Sequence, residues 1–263
     1  VEKEYNVNHK GHEVFHEVHK GRFDNGQYMI TRAIIFDFTQ TLADSATGFR
    51  LAEKMVEQKL FSDLGLTSWQ DFINNYRLIR GKNKENSNFS RRLIWQELYT
   101  SFQRNYDDKL LGQLELEYWD TVKTHTRPFP ETEDVLMKLA TKYKLALITN
   151  TQGRPVSESH TFTLFPELEK FFDPIIIAGE SGIPPKPDPV PFLLCLEKLG
   201  LDKEQVIYVG DDWKIDIFGA MNVGIKPVWL KHHLVQRNWP EMTIPVPVII
   251  DLNQLLDLDI VFR

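Results

Sequence analysis

The stretch Ala33-Ile34-Ile35-Phe36-Asp37-Phe38-Thr39-Gln40-Thr41-Leu42 decides how the rest of the chain is read. It opens on an apolar run without alternation, which predicts a short strand buried on both faces, as in the middle of a parallel sheet. The strand delivers Asp37, and small hydroxyl residues follow close behind. In an open α/β fold this sets a carboxylate and backbone polar groups at the carboxyl edge of the sheet, where such folds bind ligands.

Other apolar runs along the chain have the same form. Residues 145–148 lead into Thr149 and Asn150, and residues 206–209 lead into Gly210, Asp211 and Asp212. Further strands are expected at 175–177, 228–230 and 248–250, with helical periodicity between most of them, as at 131–143. Strand and helix in alternation are the mark of parallel βαβ winding. Residues 47–124 break that pattern. Apolar residues recur there at helical spacing, through Phe49, Met55, Val56 and Leu60 and again through Leu93, Ile94, Leu98 and Leu110, with almost no strand signal. The polar run 81–88 reads as a loop inside the block. The expected class is α/β, with a parallel sheet from residues 29–46 and 125–263 and an all-helical second domain inserted at 47–124 over the strand ends.

Residues 1–28 are polar and carry His9, His12, His16 and His19, which a helix would place along one side as a conceivable metal strip. Few apolar residues are present to hold the segment on a core, and no carboxylate cluster completes a site, so it reads as a flexible or weakly helical extension. Met29, immediately before the first core strand, would suit a natural start. The chain of 263 residues is 42% hydrophobic, enough for a large core, and its net charge of −6 comes without a basic stripe. Nucleic acid and anionic membrane are therefore disfavoured as partners, and a small ligand is expected. Cys195 is the single cysteine, which excludes an intrachain disulfide and a cysteine-based zinc site. With no apolar run near the roughly 20 residues of a membrane span and no secretory signal pattern, the expected location is cytoplasmic.

Four segments put chemistry at a strand end or in the loop that follows: Asp37 to Thr41, Thr149 with Asn150, Lys186 in the run Pro184-Pro185-Lys186-Pro187-Asp188-Pro189, and Asp211-Asp212 with Asp216. A parallel sheet brings all of them to one edge. A carboxylate nucleophile, donors for phosphoryl oxygens, an ammonium and an acidic cluster able to hold Mg²⁺ are what phosphoryl transfer through an aspartyl-phosphate requires.

In this order the segments resemble the haloacid dehalogenase-like hydrolase superfamily, subfamily I. The likeness covers nearly the whole chain from Ile30 onward. Its first motif, Asp-x-Asp-x-(Thr/Val) after an apolar strand, is met by Asp37 and Thr41; its second, a strand ending in Thr or Ser, by Thr149. The third, a lysine before proline, is met by Lys186-Pro187-Asp188-Pro189, and the fourth by Gly210, Asp211 and Asp216. The resemblance implies a Rossmann-like core with a helical cap between the first and second motifs. It also implies that Asp37 is nucleophile and Mg²⁺ ligand, that Asp211 and the backbone carbonyl of Thr39 are further ligands, and that Asp212 and Asp216 stand behind the metal. Thr41, Thr149, Asn150 and Lys186 would face the phosphoryl group of a small phosphorylated substrate, with Lys186 offsetting its charge.

One position departs from the family pattern. The family's phosphatases carry a second aspartate two residues after the nucleophile, which protonates the leaving group and later activates water; here the residue is Thr39. A hydroxyl is too weak an acid and base for that role at neutral pH, and a positioned acid/base contributes about 10²- to 10⁴-fold. Slow turnover is the expectation. The superfamily's ion pumps also carry Thr there, a pattern that resembles a longer-lived aspartyl-phosphate, and Gln40 replaces the usual glycine. Alternatives are a phospho-ligand binding or regulatory protein on the same fold and, disfavoured by Asp211 and Asp212, a metal-free 2-haloacid dehalogenase. Within the block, Arg77, Arg80, Arg91 and Arg92 are candidate contacts for a substrate carboxylate or second phosphate, and Trp69, Trp95 and Trp119 are core or substrate platform.

Overall fold

A computed structural model of the chain describes residues 20–22, 28–85, 88, 90–151 and 165–257. The histidines at 9, 12, 16 and 19 lie outside these residues, as do the other tail positions not named here. Lys20–Arg22, expected in a polar tail, form strand β1 and pair antiparallel with β2 (Tyr28–Ile30). Strand pairing runs through backbone groups and does not need an apolar face of its own.

The quoted stretch forms β3 (Ala33–Phe36), and all four side chains are fully buried. Together with β6 (Lys144–Asn150), β7 (Ile175–Ala178), β8 (Val206–Gly210), β9 (Lys226–Leu230) and β10 (Val248–Ile249) it builds one sheet in the order β10-β9-β8-β3-β6-β7. Every pairing is parallel. The strand order turns back at β3, whose neighbours are β6 on one side and β8 on the other, so a crevice opens beyond its carboxyl end. Alternation along β3 divides the core. Ile34 and Phe36 join a cluster with Leu136, Leu139 and Phe172 on one face, while Ala33 and Ile35 meet Phe192, Cys195 and Leu199 on the other. The first cluster rests on α5 (Thr132–Ala140) and α6 (Pro166–Glu169), the second on α7 (Pro189–Leu199). Burial pushes the Cys195 thiol up to about 12, which keeps it an inert core side chain.

Four helices fill the insertion: α1 (Ala46–Asp63), α2 (Trp69–Glu85), α3 (Arg91–Ser101) and α4 (Asp108–His125). They have their own core, in which Val56, Leu60, Tyr76, Trp95, Leu98 and Trp119 pack together. Trp95 and Trp119 are thus core residues, and Trp69, 41% exposed, lies against Phe61 and Phe72 at its margin. The expected loop at 81–88 is helical as far as Glu85. The Asn83 amide donates to the Ile79 carbonyl at 2.9 Å and to Glu97 of α3 at 2.8 Å, so tertiary contacts hold a polar sequence in a helix. The chain enters the insertion through β4 (Ala43–Asp44) and leaves through β5 (Arg127–Pro128), which pair antiparallel in a two-residue ribbon that periodicity is too short to reveal. Among the described residues no helix is long and apolar enough to cross a membrane.

Helices α1 and α4, whose ends meet that ribbon, pack very closely where Gly48 faces Val122. A Cβ at Gly48 would stand 2.8 Å from the Val122 carbonyl oxygen and 3.0 Å from its Cα. Both are backbone atoms, so relief requires a helix shift. Gly48→Ala is expected to destabilise the protein by about 1–3 kcal/mol, read as a lower midpoint in urea unfolding; an unchanged midpoint would show that the pair can separate without cost.

Candidate active site

Asp37 follows β3 directly and its backbone N–H donates to the Val209 carbonyl of β8 at 2.9 Å. The next turn is tight. Gln40 takes φ +62, its N–H donates to the Ala43 carbonyl at 2.8 Å, and Thr39 bridges to Ala43 before the chain turns into β4. Thr41 is fully buried beneath the turn, with its hydroxyl 3.4 Å from Asp37 Oδ2.

Lys186 reaches the same point from the loop before α7. Its side chain is only 1% exposed, and the three N–H groups of Nζ are shared among Asp37 Oδ1 at 2.8 Å, Asp216 Oδ1 at 2.7 Å, the Tyr208 hydroxyl at 2.8 Å and the Ile148 carbonyl at 2.9 Å. Asn150, at the end of β6, holds the lysine backbone from both sides: its Oδ1 accepts from Lys186 N at 2.9 Å and its Nδ2 donates to Lys186 O at 3.2 Å. Asp188 then caps α7 by accepting from Val190 N at 2.9 Å.

The third contribution comes from the end of β8. Asp212 accepts from the N–H groups of Lys214 and Ile215, both at 3.0 Å, and so opens a π-helical turn, Trp213–Ile217, that leads into α8 (Phe218–Asn222). The turn points Asp216 back at the lysine. Gly210 makes room for it, since a Cβ there would lie 2.4 Å from the Asp216 Cβ. Carboxylate oxygens of Asp37, Asp211 and Asp216 lie within 4.8 Å of one another, and all three residues are buried.

Such crowding governs the protonation of the group. Burial, with some help from Asp216, lifts the Asp37 carboxyl from 3.8 to about 6 although Lys186 opposes the change. The same cause lifts Asp211 well above the usual carboxylate range, against the pull of Arg237, with Asp216, Asp37 and Asp212 adding to it. Burial alone would lower the Lys186 ammonium, but Asp216 and Asp37 together carry it above its ordinary value. These carboxylates are short of positive charge.

Arg237 is the residue here that sequence reading misses. It sits in the segment after β9 and donates from Nη1 to Asp211 Oδ2 at 2.7 Å and from Nη2 to the Asp211 carbonyl at 2.5 Å, with its guanidinium 4.0 Å above the Trp239 ring. Trp229 Nε1 donates to that same carbonyl at 2.8 Å. Only the pair Arg237–Trp239, a cation beside an aromatic ring, could have pointed to it.

The cluster forms the floor of a cavity of about 490 Å³ whose opposite wall belongs to the helical insertion. Asp37, Thr39, Gln40, Asn150 and Lys186 line the floor, with Asp211, Asp212, Asp216 and Arg237. Thr41 and Thr149 lie within the fold behind that lining, each at most 1% exposed. Glu53, Arg77, Arg80 and Arg91 line the opposite wall. Arg92 turns away and pairs with Asp108 at 3.1 Å.

Residues 34–230 match the family model described as haloacid dehalogenase-like hydrolase. The chain is 30% identical over 234 residues to a glyceraldehyde 3-phosphate phosphatase of Pyrococcus furiosus, covering 86% of this chain and 92% of the relative. It is also 30% identical to a phosphoglycolate phosphatase of Aquifex aeolicus, over 88% of this chain and 99% of the other. Among solved structures, a phosphatase of the same superfamily from Thermococcus onnurineus superposes with a TM-score of 0.61 at 24% identity, over 87% of this chain and 97% of that one, a likeness of fold.

The raised Asp37 carboxyl has a measurable consequence in protein free of metal. Because its folded value of about 6 exceeds the ordinary 3.8, the protonated form is favoured by folding; the benefit is complete below pH 4 and is lost as pH rises through 6. Asp37→Asn is therefore expected to raise the Tm of chelator-treated protein by a few degrees at pH 7.5, with a smaller gain at pH 5. A lower Tm at pH 7.5 would show that the Lys186 contact outweighs the burial of charge. Arg237→Gln, which strips Asp211 of its counter-charge, is expected to lower that Tm and to enlarge the stabilisation that added Mg²⁺ produces; an equal Mg²⁺ shift in both proteins would contradict this.

Proposed function

The chain belongs to the haloacid dehalogenase-like hydrolase family, and on that footing we propose that it is a Mg²⁺-dependent phosphatase of a small phosphorylated metabolite, acting slowly through an aspartyl-phosphate on Asp37. The observation that carries the reading is the Lys186 ammonium gripping Asp37 and Asp216 in a buried cluster that opens into a cavity. Its relatives from Pyrococcus furiosus and Aquifex aeolicus, phosphatases by name, support hydrolysis of a phosphate ester.

The donor set suits a hard divalent cation. It offers carboxylate oxygens, and the floor's lining includes four carboxylates against two cations, a formal excess of two negative charges. Asp37 and Asp211 would hold the ion together with the carbonyl of Thr39, while Asp216 stays committed to Lys186, Tyr208 and the Asp212 N–H. Bound Mg²⁺ would supply charge neutralisation at the phosphoryl oxygens.

Asp37, already in place against Lys186, attacks phosphorus through a carboxylate oxygen; the bond to the ester oxygen breaks and the alcohol departs. Water then attacks the aspartyl-phosphate, the bond between Asp37 and phosphorus breaks, and inorganic phosphate leaves. Lys186 keeps its proton in the unreacted site, where Asp216 and Asp37 hold its ammonium above the ordinary value; once Asp37 carries the phosphoryl group, Asp216 and the phosphoryl oxygens would be the opposing charge. Both steps need a proton moved at the ester oxygen or the water. Thr39 lines the cavity where that group is required but cannot serve as a strong acid or base, so bulk water must carry the proton.

Thr39→Asp is expected to raise the rate of hydrolysis of an aryl phosphate in the presence of Mg²⁺ by about 10²-fold or more, and Asp37→Asn to abolish it. No gain from the first together with no loss from the second would sink the mechanism. Thr39 also favours a second reading, a protein that holds phosphate or a phospho-ligand rather than turning it over. Phosphate retained on the wild-type chain, without release, would support that reading.

A further inference from the structure

The two walls of the cavity carry opposite charge. Where the floor is formally negative, the helical wall presents Arg77, Arg80 and Arg91 against Glu53. The residues reach it by helical spacing: Arg77 and Arg80 lie three apart on α2, Glu53 comes from α1, and Arg91 opens α3.

Glu53 is saturated. Its Oε1 lies 3.3 Å from Arg80 Nη2 and 3.3 Å from Arg91 Nε and accepts from the Tyr118 hydroxyl at 2.8 Å, while Oε2 accepts from the Tyr76 hydroxyl at 2.9 Å. The lining of this wall therefore counts one carboxylate, held by Arg80 and Arg91, against three guanidinium groups, a formal excess of two positive charges. Glu57, one turn further along α1, feels Arg80 and Arg77 without lining the cavity; even with it counted the wall stays positive. Among the described residues the Arg77 side chain makes no ion pair or hydrogen bond. Arg91 is held as a permanent cation: burial alone would lower it, but Tyr118, Glu53 and Tyr76 raise it.

A divalent cation would offset the floor's two excess negative charges, and with Lys186 beside Asp37 the floor could then hold a phosphoryl group without arginines on the far wall. We infer that these arginines bind a second anionic group, so that the substrate is a phosphomonoester carrying a carboxylate or second phosphate at its far end. This rests on the phosphatase reading for the placement of the reacting phosphate. It also separates two kinds of substrate represented among the relatives' names, since glyceraldehyde 3-phosphate ends in an uncharged group and phosphoglycolate in a carboxylate.

The test measures binding and hydrolysis separately. With Mg²⁺ present, Kd values are measured by calorimetry for ω-carboxyalkylphosphonates and α,ω-bisphosphonates with one to four methylenes, against alkylphosphonates of equal length. The best dianionic-ended probe is expected to bind at least about tenfold more tightly than its uncharged counterpart, with Arg77→Gln and Arg80→Gln each removing most of that ratio. The carboxylate and phosphonate arms show which anion is preferred. Equal affinities at every length, or a preference that survives both substitutions, would overturn the inference. Aryl phosphate hydrolysis is followed in parallel. Hydrolysis without anion preference leaves the phosphatase standing and removes this inference; anion preference lost in the arginine variants, with no hydrolysis, does the reverse.

Discussion

The structure depends on a buried ammonium. Lys186 brings a full positive charge into the heart of an α/β core, where an unpaired charge would be untenable, and two carboxylates, a phenol and a backbone carbonyl receive it. The four partners come from three neighbouring strands or the turns after them: Asp37 from just beyond β3, Ile148 from β6, Tyr208 from β8 and Asp216 from the turn beyond β8. Satisfying one cation therefore ties together the three central strands at their carboxyl edge. The supporting features follow from that need. Asn150 clamps the lysine backbone, Asp212 starts the turn that aims Asp216, and Gly210 lacks the side chain that would block it.

One ammonium cannot balance what has been gathered around it. Burial raises the carboxyls of Asp37 and Asp211, and Arg237 supplies only part of the missing charge. A divalent cation is the natural complement of such a floor. Opposite it, four helices on a two-residue ribbon carry a wall of the other sign, built on a glutamate that orders two arginines and two tyrosines. A ligand between the walls meets charge that is distributed along its length.

Much of this could be read without coordinates because three groups of the candidate site follow apolar runs. Asp37 after 33–36, Asn150 after 145–148 and Asp211 after 206–209 are placed by strand geometry alone, since a buried parallel strand leaves little choice about where its next residue emerges. Lys186 was legible through the prolines around it. Other features lacked a local signal. Arg237 comes from an irregular segment, the ribbon of β4 and β5 is too short for periodicity, and the helix at 81–85 is held by contacts with α3. The motif suggests that Asn150 faces a phosphoryl group, and what the structure shows is its amide holding the backbone of Lys186.

By itself the sequence determined the winding of the sheet, the helical insertion and the edge at which the carboxylates and the lysine gather, because hydrophobic period and strand direction are local properties of the chain. Only the tertiary structure decided which charges pair. Asp216 faces the lysine, Arg237 takes Asp211, and Glu53 collects its arginines across helix boundaries. Electrostatic interaction depends on separation and burial in three dimensions, and residues distant in the chain become neighbours only once the core has packed.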